Sequence, residues 1–283
     1  MSNVIQRTLS GTLYVVVVVA SILVHPIFFG VLFAIISMMA VREFHQLMNS
    51  SVFSTVMAMI AAALLFVSSW MLGYFLDSGE QAAGIAGMSL FYGILVMAAL
   101  LAELWLKAEN PVQNWGNFLQ SQIMIAIPFT LMNFLYFADP YLLLSVFVLI
   151  WVNDTGAYCV GSLTAKRPNG NHKMFPRISP KKSWEGLIGG IVFAIAAGAL
   201  LTCLGWFDEL YSEQAYIQGM CFAFLIAVFG TLGDLMESLF KRTIGVKDSG
   251  NFLPGHGGVL DRFDSILLAV PASLLFMAFI AAI

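Results

Sequence analysis

Charged residues are scarce in this chain, and their scarcity excludes an ordinary soluble domain. Only 10% of its 283 residues are Asp, Glu, Lys or Arg, whereas 60% are hydrophobic. A soluble domain carries about 25% charged residues and about 45–50% apolar ones, because its surface must face water. We therefore expect lipid to be the solvent for much of this protein's surface.

Cysteines and common phosphate-binding motifs are also few or missing. Cys159, Cys203 and Cys221 form no CxxC pair and no cluster with histidine, which argues against a zinc site. All three lie in apolar runs, so we predict small buried hydrophobic side chains. A disulfide between Cys203 and Cys221 is possible in principle, but no pattern indicates it. The chain has no GxxxxGK[ST] P-loop and no protein-kinase motif set, which excludes those two phosphate-binding designs.

Long hydrophobic runs are abundant, and they predict an all-α, polytopic integral membrane protein. A spanning helix needs about 20 mostly apolar residues, and a helix satisfies its own backbone groups in lipid. We predict about nine transmembrane helices, at residues 9–24, 27–41, 54–76, 82–106, 118–137, 140–162, 184–205, 215–240 and 262–282. His25-Pro26 predicts a tight turn between the first two. The alternative for the first run is a signal peptide with Arg7 as its positive region, but no clear small-x-small cleavage site follows it.

The placement of charge predicts an orientation in the membrane. With the N-terminus in the cytoplasm, all 13 Lys and Arg fall on or next to the cytoplasmic side, as the positive-inside rule requires. The opposite side receives only acids: Asp77, Glu80, Asp139, Asp208, Glu209 and Glu213. We expect a multi-pass protein of the inner (cytoplasmic) membrane whose active site faces the cytoplasm.

The chain also divides by content. Residues 1–110 are nearly featureless N-terminal spans joined by short loops. Residues 111–283 carry most of the polar residues within spans and the two large loops, 163–183 and 241–261, so we predict the catalytic region there.

The end of the eighth span carries a polar helical face. Its residues are spaced at i, i+3, i+4 and i+7, which places them on one side of the helix: Asp234, Glu237, Ser238 and Lys241. Acids near a membrane are costly, so two of them predict a face that binds a divalent cation. The structural alternative is a salt bridge between Glu237 and Lys241.

A glycine-rich loop follows, at residues 247–258. Gly255, Gly257 and Gly258 flank His256, and glycines let backbone N–H groups approach a phosphate. Lys247 and His256 would add charge or hydrogen-bond donors. The alternative is a tight connector between two spans.

The ninth span opens with Asp261, Asp264 and Ser265, which share a helical face. Carboxylates from the eighth and ninth spans would converge on one or two Mg²⁺ ions, because Mg²⁺ takes carboxylate, phosphate and water oxygens. Acids at a helix N-terminus also complement the helix dipole, which is the structural alternative.

A fourth cluster combines the sixth span with the first basic loop. Asp154 and Tyr158 share a helical face, and the loop ends in Lys181 and Lys182, which enter the seventh helix and are well placed to hold a phosphate. The basic residues earlier in that loop would equally follow topology or bind anionic lipid headgroups. Together the four clusters fit a phosphate displacement assisted by metal ions, without naming the nucleotide or the acceptor.

The run from Ser238 to Asp264, S-L-F-K-R-T-I-G-V-K-D-S-G-N-F-L-P-G-H-G-G-V-L-D-R-F-D, resembles the phosphatidate cytidylyltransferases, also called CDP-diacylglycerol synthases. N-D-T-G-A-Y and S-P-K-K-S-W-E-G resemble two further stretches of that family. The resemblance by motif covers roughly residues 150–265, and nothing is carried over to the first hundred residues.

The resemblance implies that CTP and phosphatidate give CDP-diacylglycerol and pyrophosphate, with Mg²⁺ required and a monovalent cation such as K⁺ alongside it. It implies Asp234 and Asp261 as metal ligands. The predicted catalytic residues are Asp234, Asp261, Lys241, Arg242, Lys247 and His256. The predicted substrate-binding residues are Asp154, Tyr158, Lys181, Lys182, Ser183, Glu237, Ser238, Asp248, Gly257, Gly258, Arg262 and Asp264. The expected partners are CTP, phosphatidate, membrane lipids and a second copy in a homodimer, with no nucleic acid.

Three other functions stay open. The first is a sister enzyme for an unsaturated ether lipid, or a CTP-dependent lipid kinase. The second is a transporter, which should carry acids near mid-bilayer and often inverted repeats. The third is a membrane scaffold, which would not need Asp234, Glu237, Asp261 and Asp264 together.

Overall fold

The computed structural model describes residues 3–77, 85–168, 170–207, 215–250 and 257–282. Over these ranges the chain consists of helices, turns and one short hairpin. The helices are α1 (Asn3–Val24), α2 (Pro26–Leu47), α3 (Val52–Asp77), α4 (Ile85–Leu106), α5 (Pro111–Ser121), a π-helical turn (Gln122–Ala126), α6 (Ile127–Ala138), α7 (Pro140–Thr164), α8 (Trp184–Cys203), α9 (Ala215–Thr243), α10 (Leu260–Phe263) and α11 (Ile266–Ala281). The strands are β1 (Lys173–Phe175) and β2 (Ser179–Ser183).

The predicted all-α, polytopic fold is confirmed. Of the described residues, eight stretches are long and apolar enough to cross a membrane, where about nine were predicted. They are Pro26–Leu47, Val52–Leu76, Ser89–Leu106, Pro111–Ala138, Pro140–Thr164, Trp184–Cys203, Tyr216–Thr243 and Leu260–Ala281. The remaining predicted span corresponds to Thr8–Val24, which is apolar but shorter. Glu80, Asp208, Glu209 and Glu213, predicted for the non-cytoplasmic side, lie outside the described residues.

Local sequence explains where the helices begin. His25 caps α2 by accepting a hydrogen bond from the Ile27 N–H, and Pro26 follows it, so the predicted turn is present. Asp139 caps α7 in the same way, accepting from the Tyr141 N–H at 2.8 Å. Side-chain caps satisfy amides that have no partner within the helix.

The cysteines correct one expectation. Cys159, Cys203 and Cys221 are free thiols and all three are exposed, whereas burial was predicted. They lie on or at the end of membrane helices, where an apolar side chain is stable in contact with lipid and need not enter a protein core.

The first compact unit comprises Met1–Ala138 and Asp248–Phe263. Its core is aromatic: the rings of Phe29 and Tyr136 stack at 4.1 Å, and Phe263 packs against Phe33 at 6.0 Å and Phe129 at 5.6 Å. Phe263 is buried and belongs to α10. These contacts anchor α10, and with it Asp261, among the N-terminal helices of this unit.

The second unit comprises Asp139–Lys247 and Asp264–Ile283. Its helices approach closely through small residues. A Cβ atom at Gly190 of α8 would lie 2.5 Å from the Asn153 Oδ1 atom of α7, and one at Gly198 would lie 2.6 Å from the Ala223 Cβ atom of α9. Small residues at membrane helix interfaces allow such backbone contact. The close packing of α7, α8 and α9 forms the frame of the cavity described next.

Candidate active site

The second unit contains a cavity of about 470 Å³. Its walls come from α7, the β1–β2 hairpin, the first turn of α8, and α9. Six predicted site residues line it: Asp154, Tyr158, Lys181, Lys182, Ser183 and Asp234. The structure therefore brings together two clusters that are far apart in the sequence, the basic loop and the acidic end of α9.

An ion pair between Lys182 and Asp234 joins these two clusters. The Lys182 Nζ atom lies 2.7 Å from the Asp234 Oδ2 atom and also donates to the Thr231 carbonyl at 3.4 Å. The other Asp234 oxygen accepts from the Ser238 hydroxyl at 3.2 Å. Lys182 is half-buried, whereas Lys181 is exposed, so the two lysines have different surroundings on the same cavity wall.

The loop 163–183 folds into a hairpin, which the sequence reasoning missed. Strands β1 and β2 are antiparallel, with Lys173 opposite Ser183. The Glu185 carboxylate holds the start of the hairpin, since it accepts from the His172 N–H at 3.1 Å and contacts the His172 Nδ1 atom at 2.6 Å. A glutamate directly after a helix N-cap was the available signal for such an anchor.

Arg242, predicted as a catalytic residue, makes contacts that position the hairpin. Its Nε donates to the Ile178 carbonyl at 3.2 Å, and its guanidinium also donates to the Val246 carbonyl at 3.1 Å. Ser183, predicted to bind substrate, is buried and caps α8 by accepting from the Gly186 N–H at 3.1 Å. Both residues therefore shape the cavity wall.

Two polar residues at the base of the cavity were also missed. Asn153 is buried in α7, and its amide donates to the Thr231 hydroxyl of α9 at 3.3 Å. Both residues line the cavity. The signal was the placement of Asn153 within an apolar span, where an amide needs a partner.

The acids of α9 gather around Asp264 within the second unit. Asp264 is half-buried and interacts electrostatically with Asp234, Glu237 and Asp154, and with Lys241. Glu237 and Lys241 form the buried ion pair that was the structural alternative for this helix face. Four carboxylates thus face two ammonium groups, those of Lys182 and Lys241. The surplus of negative charge favours a cation.

The backbone contact beside this cluster leads to a test. A Cβ atom at Gly233 would lie 2.6 Å from the Asp264 carbonyl oxygen and 3.0 Å from the Ser265 carbonyl oxygen. These backbone atoms cannot rotate away, so Gly233→Ala should destabilise the protein by about 1–3 kcal/mol and displace Asp264. The readouts are the melting temperature in detergent and the activity.

Gly230→Ala is the matched control for that substitution. Gly230 lies on the same helix, and its added Cβ would meet only side-chain atoms, at 3.5 and 3.7 Å. We expect Gly230→Ala to keep or raise the melting temperature, because alanine favours helix. Equal melting temperatures for the two variants would contradict the proposed close contact.

Asp261 lies in the first unit, where it organises the glycine-rich loop. Its Oδ2 atom accepts from the Ser249 N–H at 2.9 Å and the Gly258 N–H at 2.8 Å. Gly257 has φ +83°, and a Cβ atom there would collide with the same carboxylate oxygen, so glycine is required. The Gly258 amide, predicted to approach a phosphate, thus donates to Asp261.

The remaining predicted residues have varied positions. Lys247 and Asp248 are exposed, Arg262 is half-buried, and the Arg262 carbonyl accepts from the Tyr14 hydroxyl at 3.3 Å. Tyr158 lines the cavity and is 77% exposed. His256 lies outside the described residues.

Glu43 of α2 is a further residue that the sequence reasoning missed. It is buried, and its carboxylate accepts from the Ser249 hydroxyl and from the Val259 and Leu260 amides. The sequence analysis assigned no site residue before position 110. The signal was an acid in the last turns of an otherwise apolar helix.

The donor chemistry of the second unit fits magnesium. Over the described ranges, no group of three or more His, Cys, Asp or Glu side chains is arranged to hold a metal ion. Mg²⁺ usually takes only one or two carboxylates, with substrate phosphates and water completing its shell. The carboxylates of Asp234 and Asp264, with a surplus of negative charge around them, are of the type that Mg²⁺ prefers.

Comparisons with known proteins agree along nearly the whole chain. The model of the cytidylyltransferase family matches residues 5–280. A phosphatidate cytidylyltransferase of Haemophilus influenzae is 31% identical over 302 residues, covering 97% of this chain and 99% of that protein. That of Bacillus subtilis is 33% identical over 272 residues, covering 94% of each. That of Rickettsia bellii is 37% identical over 203 residues, covering 63% of this chain and 84% of that protein. The chain therefore belongs to the cytidylyltransferase family and is a nucleotidyltransferase.

Proposed function

We propose that this protein is a phosphatidate cytidylyltransferase, which transfers CMP from CTP to phosphatidate and releases pyrophosphate. The observation that carries the proposal is the cavity of the second unit, where Lys182 and Asp234 meet beside Lys181. Cationic side chains beside a carboxylate are the groups that a metal-assisted phosphate displacement needs. The names of the matched relatives support the same reaction.

The proposed reaction balances without a strong general base. An oxygen of the phosphatidate phosphate forms a bond to the α-phosphorus of CTP, and the bond from that phosphorus to the β-phosphate oxygen breaks. The nucleophile is already anionic, so no proton must be removed from it. Lys181 and Lys182 would hold phosphate oxygens, and electrostatic stabilisation of the developing charge is the main contribution that such groups make.

Asp234 and Asp261 are the proposed Mg²⁺ ligands. The bound ion would neutralise phosphate charge and orient the phosphates for displacement. Within the second unit, Asp264 and Glu237 add negative charge around Asp234. The accompanying K⁺ and the homodimer that the family resemblance implies stay predictions.

We also propose an inner-membrane location with the N-terminus and the active site on the cytoplasmic side. The distribution of Lys and Arg supports this orientation. CTP would then reach the cavity from the cytosol, while phosphatidate would enter from the lipid.

The test is nucleotide turnover by purified protein in detergent. We would supply phosphatidate and Mg²⁺ with CTP labelled at the α- or the γ-phosphate. We expect α-label in the lipid, equimolar pyrophosphate, no product with EDTA and none with ATP. Transfer of the γ-label would instead indicate a lipid kinase. Absence of turnover in folded protein would contradict the proposal and favour a transporter.

A further inference from the structure

Glu43 is a buried acid that binds both ends of the glycine-rich loop. It is 9% exposed in the last turns of α2. Its Oε1 atom accepts from the Val259 N–H at 2.8 Å, and its Oε2 atom accepts from the Leu260 N–H at 2.9 Å. The Ser249 hydroxyl, 206 residues away in the sequence, donates to Oε2 at 3.1 Å. One carboxylate thus fixes the chain before and after residues 251–256.

Ser249 connects Glu43 to Asp261. Besides donating to Glu43, the Ser249 hydroxyl accepts from the Asp261 N–H at 3.3 Å. The Ser249 N–H donates to the Asp261 Oδ2 atom at 2.9 Å. The position of the Asp261 carboxylate therefore depends on Ser249, and the position of Ser249 depends on Glu43.

The glycines of the loop are explained by this carboxylate. A Cβ atom at Gly258 would lie 2.5 Å from the Glu43 Oε2 atom, and one at Gly250 would lie 2.8 Å from the Glu43 Oε1 atom. Only residues without a side chain let the backbone close around Glu43. A general phosphate-binding loop would not need an acid at its centre, so these contacts point to positioning as the role of the acid.

The energetics favour a dedicated role for this buried charge. An acid at the end of a membrane helix is costly unless hydrogen bonds satisfy it. The amides of Val259 and Leu260 open α10, where the helix leaves its first N–H groups without internal partners. Glu43 and these amides therefore satisfy each other, which holds α10 and its Asp261 in a single orientation.

We propose that Glu43 is a positioning residue that orients Asp261, through Ser249 and the start of α10, for nucleotidyl transfer. The catalytic consequence rests on the proposed function, in which Asp261 takes part in the reaction. Glu43 itself does not need to touch substrate. It acts by holding the loop backbone and the Asp261 carboxylate in place.

The first variant is Glu43→Gln, which keeps the size of the side chain. A glutamine amide would present its NH₂ group to one set of N–H donors, because only one of its two terminal groups accepts hydrogen bonds. We expect kcat to fall about 10–100-fold, the range found when outer-shell partners of a functional carboxylate are removed, with KM for CTP nearly unchanged. Amide exchange in peptides covering 249–250 and 257–263, measured by mass spectrometry without substrate, should speed up.

Glu103→Gln is the matched control. Glu103 is also a buried glutamate of the first unit, and it accepts from the Asn114 amide at 3.0 Å without a contact to the loop in the described structure. We expect it to change exchange around Asn114 while leaving kcat and loop exchange as in the unmodified protein. An equal fall in kcat for Glu103→Gln would overturn the proposal, since the effect would then be general destabilisation.

Ser249→Ala keeps the proposal testable if Glu43→Gln folds poorly. It removes the hydroxyl that links the two acids and should reduce kcat by a similar factor. The double variant should be no slower than the slower single variant, because residues in one network are not additive. Additive losses, or normal kcat in either single variant, would overturn the positioning role. An inactive unmodified protein would instead overturn the proposed function, and the exchange data would separate the two failures.

Discussion

Replacing Asp234 with asparagine is expected to reduce formation of the CDP-lipid by about 100-fold or more. Asparagine keeps the shape of the side chain but loses the negative charge that pairs with Lys182 at 2.7 Å and that would bind Mg²⁺. Metal ions contribute several kcal/mol of transition-state stabilisation, and each 1.36 kcal/mol is about a factor of ten in rate. The measurement is kcat with labelled CTP at saturating phosphatidate, over a range of Mg²⁺ concentrations.

Asp139→Asn is the matched control for this substitution. Asp139 caps α7 in the same unit, and asparagine caps a helix about as well as aspartate. We expect normal activity and normal elution in gel filtration for Asp139→Asn. Lys182→Gln separates the two roles of Asp234, because it breaks the ion pair while leaving the carboxylate. If Lys182→Gln and Asp234→Asn raised the required Mg²⁺ concentration equally, or if Asp234→Asn kept most of its rate, Asp234 would not be a metal ligand.

Replacing Lys241 with methionine is expected to cause the largest loss of stability. Lys241 and Glu237 form an ion pair in which the side chains are only 10% and 2% exposed. Removing one partner of a buried pair leaves an uncompensated charge, which typically costs about 3–5 kcal/mol. The melting temperature of the detergent-solubilised protein should fall clearly below that of the unmodified protein.

The double variant Lys241→Met, Glu237→Gln distinguishes a structural from a catalytic role for Lys241. Replacing both partners removes the uncompensated charge, so the melting temperature should recover in large part. If the stable double variant is still inactive, Lys241 or Glu237 also serves the reaction, as the sequence predicts. Recovery of both stability and activity would restrict the pair to a structural role. Failure of the melting temperature to recover would contradict the coupling of the two charges.

Residues close together in the chain were the most predictable part of the site. The face formed by Asp234, Glu237 and Lys241 follows from helical spacing, and the Glu237–Lys241 pair was anticipated as the structural alternative for that face. The caps at His25 and Asp139 likewise follow from local residues. Such features depend on backbone periodicity and on neighbouring side chains, which a sequence displays directly.

Contacts between distant segments were not predictable in this way. The sequence marked Lys182 and Asp234 as functional, but neither spacing nor composition indicated that they pair. The hairpin of residues 173–183 was predicted only as a loop, because its short strands are stabilised by Glu185 and Arg242 from other elements. Glu43 lies in a region where the motif contributed nothing, although it binds the loop that carries the motif.

The sequence by itself determined the solvent, the class of fold and the family. Scarcity of charge and long apolar runs imply lipid around helices, and the motif from Ser238 to Asp264 identifies the family because many polar residues are specified at once. Only the tertiary structure decided which acids are paired, which amides are already bonded and which helix holds the glycine-rich loop. These depend on how helices far apart in sequence pack, and packing is set by the shapes of many side chains together rather than by any local pattern.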